Sequence, residues 1–294
     1  MLNRFFLPFS IPNDVHNHQD GGAIMNVSTN QRTSNLRGVC FSFFVIVFSS
    51  LFLLSCLFFL SPQPRVVGFA VGKPLASYTT YYNPDDKGRS SNIQLACKRI
   101  HGVTVQPYGE FSFNKTVGKR TRSAGFQDAK IIIDGEFVIG VGGGVCQVST
   151  TLYNAALLAG LTITESHPHS LSVSYVPPSR DAMVSSESDF SFFNPLSAPI
   201  RLTATAADGV LKISVFGEND GGRYEIISYV TQEIPPPEPI IRAGNEDKIV
   251  RREKQGIKSE AYLEKYVGNA LIARKRLRKD TYAPVQGIIV KKMP

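Results

Sequence analysis

The run Gly142-Gly143-Gly144-Val145-Cys146-Gln147-Val148-Ser149-Thr150-Thr151 restricts the fold more than any other stretch. Apolar residues with strand composition lead into it from Phe137 to Val141. Helical spacing leaves it through Val148, Leu152, Ala155, Ala156 and Leu158, with Gly160 as the expected C-cap residue. The chain must therefore pass from strand to helix through three glycines, with a single cysteine at the helix start. A sulfur there meets the positive end of the helix dipole, which favours thiolate over thiol. Glycines just before it allow a substrate backbone to approach and leave amide N–H groups for a developing oxyanion.

The pattern around this run predicts an α+β fold: a mixed, mostly antiparallel sheet with a Cys-bearing helix. Ser77 to Tyr82, Lys130 to Ile133, Leu171 to Val176, Ile200 to Ala204 and Val210 to Phe216 have strand composition. Asp134-Gly135 is a hairpin signal between Ile133 and Phe137. Asn92 to Ile100 reads as a short amphipathic helix. These elements place a catalytic domain over 77–220. Ile234-Pro235-Pro236-Pro237-Glu238-Pro239 makes 221–240 an expected stiff linker. Beyond it, 241–294 reads as a small all-β module.

Val39 to Leu60 is 22 residues without charge or proline. A helix needs about 20 apolar residues to cross the hydrocarbon core. We expect an N-terminal transmembrane helix over 39–60, a polar cytoplasmic tail over 1–38 and a tether over 61–76. Basic residues flank both sides, so orientation rests on size, which puts the bulk of this single-pass chain outside the cell membrane.

The net charge of +8 is unevenly placed. Ile240 to Pro294 holds 14 Lys/Arg against 6 Asp/Glu, so the rest of the chain is neutral. A basic module outside a membrane suits anionic polymers or lipid headgroups and makes nucleic acid an unexpected partner. Cys40 and Cys56 fall in the apolar run, leaving Cys97 and Cys146. Two cysteines make no disulfide framework. Cys97 reads as a small buried hydrophobe, and a Cys97–Cys146 disulfide would silence any chemistry at Cys146.

A thiol nucleophile needs a base held by a third group. His167 and His169 lie in Glu165-Ser166-His167-Pro168-His169-Ser170, and either can serve as base. Asp181 lies one short loop on, placed to accept from the imidazole and fix its tautomer. Gly143, Gly144, Gln147 and Ser149 surround the sulfur in sequence. With Arg120, whose fork suits a carboxylate, and His167 they form the expected substrate-binding set. A metal held by Cys146, His167 and His169 would lack the fourth ligand of a structural zinc site. Neither metal nor cofactor is expected, and no Gly-Lys-Ser/Thr follows the glycines to make a P-loop.

Glu110-Phe111-Ser112-Phe113-Asn114, Val117-Gly118-Lys119-Arg120-Thr121, Gly125-Phe126, the block from Gly142 to Ala156 and His169-Ser170 resemble the VanW-like family, over about Tyr78 to Phe216. The basic C-terminal module resembles a divergent G5 domain, a β-rich unit often attached to cell-wall proteins. The first resemblance implies a link to vancomycin resistance and, as for some members, L,D-transpeptidase activity on peptidoglycan stem peptides. It makes Cys146 the nucleophile and His169 the base. Asp181-Ala182 matches the family's Asp-Ala step, while Ser166 stands where an arginine is often found. The rival expectation is a non-catalytic wall-binding or accessory resistance protein.

Overall fold

A computed structural model describes residues 74–133 and 136–292. The first sheet has the order β1 (Ala76–Tyr81), β9 (Val210–Phe216), β8 (Ile200–Ala207), β2 (Thr104–Val105), with every neighbour antiparallel. Period-2 alternation turns Ile200, Leu202 and Ala204 of β8 and Leu211, Ile213 and Val215 of β9 into the core. The turn between these strands puts Asp208 and Gly209 at positive φ.

Two helices cover this apolar face. α1 (Lys87–Ile100) packs on β8, and α3 (Val145–Leu158) packs on β1 and β9. α1 starts at Asp86, whose carboxylate accepts from the Arg89 N–H at 3.2 Å. Its inward stripe is Ile93, Ala96, Cys97 and Ile100, at the i, i+3, i+4, i+7 spacing of a buried helix face. The short α2 (Phe113–Val117) follows α1, and a second sheet has the order β3 (Glu110–Ser112), β7 (Ser191–Phe193), β6 (Thr162–Glu165). The hairpin β4 (Asp128–Ile133) and β5 (Glu136–Val141) pairs Lys130 with Ile139 and Asp128 with Val141. It delivers the chain to Gly142. Its expected turn at Asp134-Gly135 lies outside the described residues.

The C-terminal part holds two more sheets. One is β10 (Arg223–Ile234), β13 (Gly256–Val267), β14 (Ala270–Tyr282). The other is β11 (Ile240–Gly244), β15 (Ile288–Lys292), β12 (Lys248–Arg251), in which β11 and β15 run parallel. All of these elements belong to one unit, Gly68–Pro294.

The α+β expectation is corrected on several counts. Strands hold 46% of the described residues and helices 17%, so the fold is mostly β. The long β10, β13 and β14 tip the balance, each running 12 or 13 residues. The single mixed sheet is replaced by five small ones. The expected transmembrane helix is not supported: among the described residues no helix is long and apolar enough to cross a membrane. The span 39–60, the tail 1–38 and positions 61–73 of the tether lie outside the described residues.

Two local expectations also change. β10 occupies most of the stretch read as a linker, since its residues from Arg223 to Val230 pair one for one with Tyr266 to Ser259 of β13. Leu171 to Val176 forms no strand. Its Val–Tyr alternation finds no neighbouring strand, and the segment runs as irregular chain past α3.

Candidate active site

The glycine turn is shaped by the chain's own packing. A Cβ on Gly143 would lie 2.5 Å from the Lys130 carbonyl oxygen and 2.8 Å from the Ala129 Cβ, so no side chain fits. Gly144 caps α3 with φ 103°, in the left-handed region that glycine alone visits freely. The buried Asn92 side chain ties the turn to α1. Its amide donates to the carbonyls of Gly143 (3.0 Å) and Gln127 (2.9 Å), and its oxygen accepts from the Gln127 N–H at 2.7 Å. Together these contacts bring the β4–β5 hairpin onto the start of α3 and fix where Cys146 begins its helix.

Cys146 is half-buried on the first turn of α3, its Sγ 3.4 Å from the Val184 carbonyl oxygen and within hydrogen-bonding reach of His169. His169 and Asp181 are both buried, at 7% and 1% exposure. His169 Nδ1 lies 2.6 Å from Asp181 Oδ2, and the same oxygen accepts the His169 backbone N–H at 2.7 Å. Nδ1 therefore faces the carboxylate, leaving Nε2 for the sulfur. Asp181 Oδ1 accepts from Tyr282 Oη at 2.5 Å and Arg278 Nη2 at 2.9 Å. One carboxylate takes four hydrogen bonds.

Electrostatics follow from this geometry. Burial works against the charged forms of all three groups, and their partners outweigh it. Burial pushes the Cys146 thiol up, but the hydrogen bond and charge of His169, with Arg120 behind it, hold it below its ordinary value. Burial lowers His169, yet Asp181 and Cys146 raise it to about 9. Asp181 is held below the usual carboxylate range against its own burial by His169, Arg278 and Tyr282. The three groups thus favour one another's charged forms: thiolate, imidazolium and carboxylate.

Of the expected substrate-binding residues, Arg120 faces the site. Its guanidinium donates to Asn114 Oδ1 at 2.7 Å and to the Ser185 carbonyl at 2.5 Å, close enough to Cys146 for its charge to act on the sulfur. His167 is paired at the surface with Glu165 at 2.9 Å, while its backbone bridges Met183. Gln147 is buried among structural partners: its amide donates to Thr80 Oγ1 and the Tyr81 carbonyl, and its oxygen accepts from Arg89. Ser149 Oγ donates to the Ala182 carbonyl at 2.6 Å, which fastens the Asp181 loop to α3. Gly143 and Gly144 meet the chain itself. Cys97 is a free, buried cysteine pushed up to about 12 by burial, and Cys146 is also a free thiol.

Sequence reasoning missed Asn92, Arg278 and Tyr282. Arg278, Asp280 and Tyr282 share one face of β14 by period 2, and that alternation of charged residues and tyrosine was the available signal.

Residues 88–216 match the family model described as VanW like protein. Over that stretch, hereafter the VanW-like domain, the chain is similar to the VanW-like family. Cys146, His169 and Asp181 all fall inside it, whereas Arg278 and Tyr282 do not. The chain is 47% identical over 146 residues to the Bacillus subtilis (strain 168) protein YoaR, covering 49% of this chain and 48% of YoaR. It is 31% identical over 78 residues to the vancomycin B-type resistance protein VanW of Enterococcus faecalis (strain ATCC 700802 / V583), covering 26% of this chain and 28% of that protein. The chain thus spans about half the length of the first relative and just over a quarter of the second. A solved structure titled HP0197-G5 is 19% identical and covers 24% of this chain and 93% of its own, with a TM-score of 0.15. A likeness at that score carries no argument about the C-terminal sheets.

Proposed function

We propose that the VanW-like domain is a cysteine acyltransferase acting on peptidoglycan stem peptides on the wall side of the cell, in the manner of an L,D-transpeptidase. One observation carries this reading: a half-buried sulfur on the first turn of a helix lies near enough to feel an imidazole whose Nδ1 is locked on a buried carboxylate. The relative named for vancomycin resistance points to cell-wall chemistry.

The thiolate of Cys146 attacks a stem-peptide carbonyl and forms a C–S bond. Charge moves to the carbonyl oxygen, at the positive end of the α3 dipole, while the Val145 and Gln147 N–H groups stay on the Gly142 and Gly144 carbonyls. As the intermediate collapses, the C–N bond breaks and His169 Nε2 gives its proton to the leaving amine. A thioester remains. An amine from a second stem then attacks it, His169 recovers a proton, and the thiolate leaves as the new amide forms. Water in place of the amine gives hydrolysis by the same steps. Arg120, beside the sulfur, suits a carboxylate of the stem peptide.

Basic residues Arg274, Lys275, Arg276 and Lys279 lie exposed on β14, an edge strand. They support anionic wall polymer as a second partner, held in a salt-sensitive way. Intact-mass measurement after incubation with muropeptides tests the reaction. The expected result is an acyl adduct on the wild-type chain and complete loss of it in Cys146→Ala. An adduct that persists in that variant overturns the proposal.

A further inference from the structure

Asp181 is the most heavily bonded group of the site, and half of its bonds come from outside the VanW-like domain. Its Oδ2 serves His169. Its Oδ1 takes the Arg278 guanidinium at 2.9 Å and the Tyr282 hydroxyl at 2.5 Å. Arg278 also donates to the Asp181 backbone carbonyl at 2.6 Å and is steadied by Asp280 at 2.6 Å. The Tyr282 hydroxyl is oriented in turn, because it accepts the Ser179 N–H at 2.8 Å. A Ser179–Ser259 hydroxyl pair at 2.7 Å closes the same seam. The ion pair is buried, with Arg278 at 11% and Asp181 at 1% side-chain exposure.

We infer that Arg278 and Tyr282, on β14, are positioning residues of the site: they fix one oxygen of Asp181 so that the other stays on His169. The terminal torsion of an aspartate is broad and roughly two-fold, so backbone placement alone does not choose which oxygen meets the imidazole. Two donors on Oδ1 make that choice. A carboxylate this deeply buried is ionised only while its donors remain. The inference rests on the reading of Cys146 as a nucleophile activated by His169.

The effect is visible at the sulfur. When Asp181 loses a donor it takes up a proton at higher pH, the imidazolium loses its counter-charge, and the thiolate is protonated at higher pH in turn. The other charged or titratable groups facing this cluster are Arg120, Tyr153, Tyr175 and Asp280. All are unchanged in the variants below. Tyr282→Phe removes a donor without altering charge, so it gives the sign of the effect cleanly.

The experiment is the rate of Cys146 alkylation by iodoacetamide against pH in the full chain, with thermal unfolding measured alongside. In Tyr282→Phe the acid limb moves to higher pH by about half a unit, and in Arg278→Met by about one unit. Arg278→Lys, which keeps the charge but loses the fork, falls between wild type and Arg278→Met. A purely structural tie would lower the unfolding temperature and leave the limb in place. Profiles of folded Tyr282→Phe and Arg278→Lys that superimpose on wild type therefore overturn the inference, whatever happens to stability. If Arg278→Met does not fold, Tyr282→Phe decides. An ordinary thiol profile in the wild-type protein overturns the acyltransferase reading itself, and this inference with it. A depressed wild-type profile that the variants leave unmoved overturns the inference alone.

Discussion

Cys97 and Cys146 sit on neighbouring helices and meet opposite fates. Cys97 lies on the inward stripe of α1 among Ile93, Ala96 and Ile100, at 3% exposure, and burial alone sets its thiol at about 12. Cys146 also loses water, yet its thiol is lowered, because His169 and Arg120 bring positive charge to it. Desolvation acts on both in the same direction. The partner decides the outcome, and a partner is present where a loop crosses a helix start but not in the middle of a packed helix face. A cysteine's reactivity is thus a property of the residues that face it.

The sharpest way to break this contrast is to remove the partner. His169→Gln keeps the size and polarity of the side chain but holds no proton to give. Acyl transfer should fall by about 10³-fold, since a positioned acid–base group contributes roughly 10²–10⁴. Single-turnover mass spectrometry would show it, and a loss below tenfold would leave His169 as a bystander. His167→Gln is the control, because that ring is committed to Glu165 at the surface.

The alkaline side of the pH profile sharpens the same point. His169 is raised, so its proton and the stabilising ion pair are fully present below the ordinary histidine range and are lost as pH rises through about 9. Acyl-transfer activity should decline along that limb. An alkaline limb near pH 6.5 would mean an imidazole that feels neither Asp181 nor the thiolate.

Selectivity comes next. At neutral pH Cys146 should react with iodoacetamide at least about 10²-fold faster than Cys97 in the folded chain, and peptide mapping would locate the label. Equal labelling would remove the distinction drawn above. The smallest effect is Cys97→Ala, which deletes a buried sulfur from the core. It should cost about 1 kcal/mol by chemical denaturation and leave acyl transfer unchanged.

The Cys146–His169–Asp181 cluster was legible because its members are rare residue types brought together over short stretches of chain. His169 and Asp181 are 12 positions apart. β8 and β9 were legible from alternation and the Asp208-Gly209 turn. The glycines were harder: their sequence looks like a surface opened for a ligand, while Gly143 in fact yields room to the Lys130 carbonyl. Gln147 and Ser149 share the helix with Cys146, but their side chains point into the protein's own polar contacts. No local pattern announces that a strand starting at Ala270 serves a carboxylate at 181. Arg278 and Tyr282 lie 97 and 101 positions beyond it. Contacts across such separations are decided by tertiary packing, which periodicity does not encode. The helix–strand balance turns on β10, whose strand composition from Arg223 to Ile234 runs directly into the prolines at 235–237.

The four-bond cradle around Asp181 bears on how such proteins can be cut and recombined. A recombinant fragment ending at Phe216 would carry every member of the cysteine cluster and still leave a sunken anion with only its imidazole-side contacts. Grafting a foreign tail after that point would do the same unless the graft happened to offer a guanidinium and a phenol in register. Domain shuffling at this junction is therefore constrained by chemistry, and the two halves are better inherited as a pair than exchanged as parts.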